Sequence, residues 1–396
     1  MHPRSMRSPG ALVLVCALSA TLLTACSTPR LRHANEPSPH EFAARGYAPI
    51  EQTPTSSTSQ NWVVSGQAIK LALSVPERGN SLPLVLYLPG LGESSDAGEK
   101  WRSAWAAAGY AVMSVQPLAD DANAWSSDLA REGDFKNLGK QRYGAAAMAD
   151  RLRLLDQVLG EAKRHASAGE PLWQRVAWDR VAIAGFDLGA YTAMAAAGEH
   201  VGGSALPLTN VRLRAVIALS PFASFSQGLL NTRYGDIHLP VFSVTSDVDR
   251  DALGMVNSPL LRSAAFLHMN GSDKYLLSVR GLPHAALSGS SNAARSRAEE
   301  LDAKQAADER HAINASEAAQ RSRSGKRMGA ASWDGGEHLA AAVPLSANGV
   351  ELGRIAIQSL STAFIDAYVR DDSLARDWLA ADAQRWLGKS GELLHR

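Results

Sequence analysis

Arg180-Val-Ala-Ile-Ala-Gly-Phe-Asp-Leu-Gly-Ala-Tyr-Thr-Ala-Met194 is the stretch on which the fold turns. Residues 180–184 form a short apolar run of the kind shown by a strand buried on both faces. Gly185 and Gly189 bracket Asp187, and the Ala-rich run continuing to about Ala197 predicts a helix. The local pattern is strand, tight turn, helix. Working outward, the same alternation recurs. Ile69 to Val75 and Leu84 to Leu88 read as strands, the second running into Pro89-Gly-Leu-Gly92. Lys100 to Ala108 reads as a helix and Tyr110 to Val115 as a strand. Arg142 to His165 places Leu152, Leu155, Val158 and Leu159 at helical spacing. Arg214 to Leu219, Val241 to Val244 and Tyr275 to Val279 are further strands, and Leu352 to Val369 a closing helix. Short apolar strands alternating with helices imply an α/β class: a doubly wound, mainly parallel sheet with helices on both faces.

Composition removes several function classes. The 396 residues are 45% hydrophobic and 20% charged, too apolar for a disordered chain and without the bias of a coiled coil or a multi-span membrane protein. Forty basic residues against 39 acidic ones leave +1, so no nucleic-acid partner is expected. Two cysteines can build neither a disulfide scaffold nor a four-Cys zinc site. No Gly-rich phosphate loop, no Gly-x-Gly-x-x-Gly after the first strand and no His-Glu-x-x-His is present, so no metal and no organic cofactor are expected. The region from 62 to 396 reads as one domain. It is interrupted at about 288–334 by a segment of Ala, Ser, Arg and Glu with few large apolar residues, expected to be a mobile surface insertion.

The N-terminal region carries an address. Arg4 and Arg7 precede the apolar run Ala11 to Leu23, which is short for a membrane span. Leu23-Thr-Ala-Cys26 follows and resembles the lipobox of bacterial lipoproteins. That resemblance implies that residues 1–25, which include Cys16, are a signal peptide cut before Cys26. It implies too that the Cys26 thiol is lipid-modified and tethers the chain to a membrane. Ser27 in that pattern points to the outer membrane of the bacterial envelope, facing the periplasm. Loss of Arg4 and Arg7 leaves 38 basic against 39 acidic residues, a net charge of −1. Residues 26–61, rich in Ser, Thr, Pro, Gln and Glu, are expected to be a flexible tether.

Gly185-Phe-Asp-Leu-Gly189 has the context of a nucleophile elbow, where a sharp turn lifts one side chain above the sheet and small neighbours let strand and helix approach. The plain alternative is a strand-helix turn with Asp187 as its N-cap. The stretch Ala184 to Gly198 resembles the elbow of α/β-hydrolases, in particular the dienelactone hydrolase-like and platelet-activating-factor-acetylhydrolase-like branch. Leu88-Pro-Gly-Leu-Gly92 resembles that branch's oxyanion loop, and Pro240-Val-Phe-Ser-Val-Thr-Ser-Asp-Val-Asp249 its acid-bearing strand. Lys274-Tyr-Leu-Leu-Ser-Val-Arg-Gly-Leu-Pro-His284 resembles the strand and loop that deliver the histidine, and Ala363-Phe-Ile-Asp-Ala-Tyr368 the closing helix. The similarity covers roughly residues 65–385 apart from the insertion. It implies an α/β-hydrolase fold, hydrolysis of a small-molecule carboxylic ester or similar acyl substrate, and a triad in the order nucleophile, acid, histidine. Asp187 holds the nucleophile position, Asp249 the acid and His284 the base. Asp247 and Asp251 are rivals for the acid, and His311 and His338 weaker rivals for the base. Leu91 and Leu188 would give backbone N–H groups to an oxyanion.

The chain departs from that pattern at its most important position. The family uses Ser or Cys where Asp187 stands, and Phe186 occupies a site where His is frequent. A hydroxyl must lose a proton before it attacks. A carboxylate is already ionised and attacks sp³ carbon well, as in related haloalkane dehalogenases and epoxide hydrolases, but with an ester carbonyl it gives a mixed anhydride. Three outcomes stay open. One is ester hydrolysis, by Asp187 or through another nucleophile such as Ser220 or Ser114. Another is a catalytically silent protein that keeps the pocket and binds an acyl ligand. The third is a dehalogenase- or epoxide hydrolase-type enzyme. Leu188, where many dehalogenases have Trp, and the short Pro221–Leu239 connection, with no room for a helical cap, weigh against the last.

Overall fold

The computed structural model describes residues 36–50, 52–224, 228–250, 253–256, 258–290 and 345–396. Its strands are β1 (Thr55–Val64), β2 (Gln67–Pro76), β3 (Leu82–Leu88), β4 (Ala111–Pro117), β5 (Val176–Phe186), β6 (Leu213–Leu219), β7 (Val241–Ser246), β8 (Lys274–Val279) and β9 (Gly391–His395). They form one nine-stranded sheet in the order β1-β2-β4-β3-β5-β6-β7-β8-β9. From β4 to β8 all neighbours run parallel, while β1, β2 and β9 pair antiparallel at the two edges.

The two-residue period of the strands divides the core. In β3, Leu84, Leu86 and Leu88 face one layer and Val85 and Tyr87 the other; in β5, Val181 and Ile183 oppose Ala182 and Ala184. The first layer is closed by the helices Ala145–Ser167 and Leu188–Ala196, the second by Glu99–Ala107 and Ala347–Val369. The fold is thus α/β with helices on both faces, compatible with a hydrolase fold. No helix among the described residues is long and apolar enough to cross a membrane.

Residues Ser38–Arg396 form one compact unit, and its first elements lie inside the segment expected to be a tether. Ser38 and Glu41 make a reciprocal capping box for the helix Pro39–Ala44, with Pro39 in its first turn. Phe42 is buried and its ring stacks on Trp386 at 4.4 Å, while Trp386 Nε1 donates to the Phe42 carbonyl at 2.9 Å. β1 follows, joined to β2 through Ser65 and Gly66, both at positive φ, as a two-residue hairpin requires. The tether therefore does not extend to residue 61: from Ser38 on, the chain belongs to the compact unit. At the other irregular segment, Ser288 and Ser290 are buried rather than part of a surface insertion, because Tyr87 Oη donates to the Ser288 carbonyl and the Gly98 N–H to Ser290 Oγ. Residues 291–344, which contain His311 and His338, lie outside the described residues, as does Cys26.

Phe42→Ala should cost about 3 kcal/mol, the usual loss for a buried phenyl ring. Equilibrium urea unfolding would show this as a lower midpoint, whereas a Phe42 in a flexible tether would leave the midpoint unchanged.

Candidate active site

The elbow is built by the absence of two side chains. A Cβ on Gly189 would stand 1.9 Å from the Leu88 carbonyl oxygen, and one on Gly185 would stand 2.3 Å from the Gly189 carbonyl. With both positions bare, the start of the Leu188–Ala196 helix lies against the ends of β3 and β5. The turn between them forces Asp187 to φ 52°, ψ −110°. A non-glycine residue there is strained by about 1–3 kcal/mol and persists only when its surroundings impose it. The Asp187 side chain makes no cap hydrogen bond to the helix, which removes the plain N-cap reading. Its Oδ2 instead accepts from the Tyr143 hydroxyl at 2.5 Å, and the residue is only 7% exposed.

The neighbouring strand end repeats the strain. Ser220, immediately after β6, has φ 54° and is fully buried. Beyond β7, Asp249 is also fully buried, and the chain after β8 brings His284 to it. His284 Nδ1 donates to Asp249 Oδ1 at 2.7 Å, the ionised carboxylate being an acceptor only. Ser220 Oγ donates to the same oxygen at 2.9 Å, and Thr245 Oγ1 to Asp249 Oδ2 at 2.9 Å. Arg262 lies 3.8 Å from Oδ2 and donates to the carbonyls of Ser220 and Pro221. Of the rival acids, Asp247 accepts the Gly281 N–H at 2.6 Å and so holds the loop that leads to His284. Asp251 lies outside the described residues.

This arrangement corrects the rival nucleophiles. Ser220 contacts Asp249 and His284 Nδ1, the acid side of the ring, and is sealed from solvent. A serine there steadies the Asp249–His284 pair and cannot attack a substrate. Ser114 is fully buried in the middle of β4, paired with Ala72 and Tyr87.

On the opposite side, the Gly90–Glu93 turn is nearly saturated. The Gly90 N–H donates to Glu93 Oε2 at 2.9 Å, the Glu93 N–H to the Gly90 carbonyl at 3.2 Å, and the Gly92 N–H to the Asp120 carbonyl at 2.8 Å. The Leu91 N–H has no partner among the described residues. Leu188 opens a helix, where an N–H has no intrahelical acceptor. These are the two donors named from the sequence for an oxyanion.

The charges interact strongly. Burial alone would push the His284 imidazole down; the hydrogen bond and charge of Asp249, joined by the charge of Asp187, outweigh it and Arg262, raising the imidazole to about 9. Burial would push Asp249 up, but Arg262, His284 and Ser220 hold it below the usual carboxylate range. Burial raises Glu93, assisted by the Asp187 charge and opposed by the hydrogen bonds from Gly90 and Ser290. In the resting site a protonated His284 therefore sits against the ionised Asp249.

Glu93, Tyr143 and Arg262 escaped the sequence reading. Glu93 had a local signal, a charge directly after a Gly-rich turn at a strand end. Tyr143 and Arg262 had none, since tertiary packing alone brings them in. Clefts of about 780 and 570 Å³ lie at the other end of the sheet, against Trp173–Trp178 and Gly79–Pro83, and include none of these residues. No group of three or more His, Cys, Asp or Glu side chains could hold a metal ion among the described residues. No protein-family model matches the chain, and no curated protein matches it.

Titration of His284 by NMR should show a midpoint near 9, and Asp187→Asn should lower it by removing a negative charge. Because the folded value is raised, the stability His284 lends is complete below its ordinary 6.5 and is lost as pH climbs through 9. His284→Gln should flatten the stability profile over that interval in urea unfolding.

Proposed function

We propose that the chain is a hydrolase in which the Asp187 carboxylate is a covalent nucleophile toward an electrophilic sp³ carbon bearing an oxygen leaving group, such as an epoxide. The observation that carries this reading is the strained, buried Asp187 beside a complete Asp249–His284 pair. In the first step an Asp187 oxygen bonds to carbon and the C–O bond breaks. The leaving alkoxide takes its proton from the hydroxyl of Tyr143, which already reaches Asp187. In the second step, after the resting proton of His284 has passed through solvent to the Tyr143 phenolate, water adds to the carbonyl of the new ester and the neutral imidazole accepts one water proton. The alcohol leaves with the other, and Asp187, Tyr143 and protonated His284 are restored. Ring opening with water is the net change. The charge balance suits this order. Esterification removes the Asp187 charge that helps hold His284 protonated, so the imidazole gives up its proton more readily and is neutral, able to accept one, when water must be activated.

The resemblance to ester hydrolases implied attack at an acyl carbon. A carboxylate attacking there is itself the better leaving group and is expelled again, and neither Ser220 nor Ser114 is placed to replace it. Halides fit less well than oxygen leaving groups, because Leu188 offers no indole N–H and, among the described residues, the β6–β7 connection carries the five-residue helix Leu230–Tyr234 alone. One observation favours a second reading, a silent ligand-binding protein: Asp187 and His284 are 7% and 5% exposed, with Tyr143 hydrogen-bonded to the carboxylate.

Within the α/β class, the proposal places the chain with the dienelactone hydrolase-like and platelet-activating-factor-acetylhydrolase-like branch, which the motifs around Asp187, Asp249 and His284 resemble. The proposal includes lipid attachment at Cys26 and an outer-membrane, periplasm-facing location, supported by Leu23-Thr-Ala-Cys26. Cys26→Ser should abolish incorporation of labelled palmitate in cells.

Incubating His284→Gln with styrene oxide should build up a one-probe mass increase on the peptide containing Asp187. Wild type should show that adduct only transiently, and in ¹⁸O-water a single turnover should label the Asp187 carboxylate. With p-nitrophenyl esters, wild type should be inactive and Asp187→Ser should gain His284-dependent activity. Folded protein that forms no adduct in either background would falsify the covalent reading and leave the silent one.

A further inference from the structure

Beneath the two oxyanion donors runs a buried polar bridge that the chemistry above does not use. Gln116, fully buried in β4, has its amide nitrogen 3.0 Å from the Gly90 carbonyl, 2.9 Å from that of Glu93 and 3.0 Å from that of Asp120. Its amide oxygen accepts from Arg151 Nη2 at 3.1 Å. The orientation of this amide is unambiguous, since carbonyls can only accept and a guanidinium can only donate. Arg151, on the helix Ala145–Ser167, turns its Nε to Thr192 Oγ1 at 3.0 Å and pairs through Nη1 with Asp120 Oδ2. Thr192 is fully buried, and its hydroxyl donates to the Leu188 carbonyl at 2.8 Å.

One unbroken chain of hydrogen bonds thus links the turn that carries Leu91 to the helix start that carries Leu188. Every link is buried, where water cannot replace a broken bond, so the bridge resists stretching. The main chains it joins are already in contact through Gly189 and Leu88. The Gly90 carbonyl shares its peptide plane with the Leu91 N–H, so the Gln116 bond orients that donor directly. The Leu188 carbonyl lies one peptide beyond the Leu188 N–H, so Thr192 sets that donor by holding the first turn of the helix.

We propose that Arg151 is a positioning residue that, through Gln116 and Thr192, sets the spacing of the Leu91 and Leu188 N–H groups and makes them a two-donor pocket for one carboxylate or oxyanion oxygen at Asp187. The role in turnover rests on the covalent reading of Asp187; the anion pocket does not. During alkylation the oxygen held there loses negative charge, and during hydrolysis of the ester it gains it. A defect in donor spacing therefore slows the second step selectively, whereas general loosening of the fold would slow both.

Two variants test this. Arg151→Met removes the centre of the bridge, and Thr192→Val keeps the volume while cutting its last link, so it remains informative if the first fails to fold. With styrene oxide, decay of the Asp187 adduct should slow about tenfold or more in each, with adduct formation changed less than about twofold. A second arm uses Asp187→Gly, which relieves the positive φ and leaves space for formate. In that background, formate should shift the Leu91 and Leu188 amide resonances together, and adding Thr192→Val should weaken formate binding about fivefold or more. Equal slowing of both steps, or formate affinity unaffected by Thr192→Val, would overturn the proposal. If wild type forms no adduct, the covalent reading fails and the formate arm alone decides whether the pocket exists.

Discussion

The contact between bare backbone at Gly185, Gly189 and Leu88 is the constraint from which the site follows. Only glycine lets the helix Leu188–Ala196 start against the ends of β3 and β5. That approach forces the positive φ of Asp187 and brings the helix N-terminus next to the Gly90–Glu93 turn. Strain at one residue is stable because a large, rigid surround holds it: two packed layers, each fed by alternate side chains of the same strands.

Around this point the protein has gathered more acidic than basic side chains. Asp187, Asp249 and Glu93 are nearly or fully buried, while His284 and Arg262 answer them. Each carboxyl is held differently. Asp249 collects donors and stays ionised, Glu93 has two neutral donors and rises, and Asp187 shares the Tyr143 hydroxyl. Like groups in unlike surroundings can take unlike roles, which is how a site of few residues separates a nucleophile from an orienting acid.

Much of the fold was legible in the sequence, because central parallel strands are apolar throughout and turns carry their glycines. β1 was not: Thr-Ser-Ser-Thr-Ser-Gln offers no alternation, since an edge strand exposes most of its side chains and is held by main-chain pairing to β2. The capping box at Ser38 and Glu41 with Pro39 was readable but lay inside a segment judged by its composition. At the site, chain order pointed to Asp187, Asp249 and His284. Three acids within five residues, however, could be told apart only by the loop's path, which sends Asp247 to Gly281 and Asp249 inward. Gln116, Tyr143, Arg151 and Arg262 sit in ordinary helical, loop and strand contexts, and their partners are distant in sequence. No local pattern marks a residue whose meaning is set across the sheet.

The stack of Phe42 on Trp386 has a mechanical side. The helix Pro39–Ala44, which opens the compact unit, is fastened to the far end of the sequence by a ring stack and an indole hydrogen bond. The fastening works as a clasp at the rim of the second core layer: the leading helix cannot fray away from the unit without unstacking a buried ring and freeing the indole N–H.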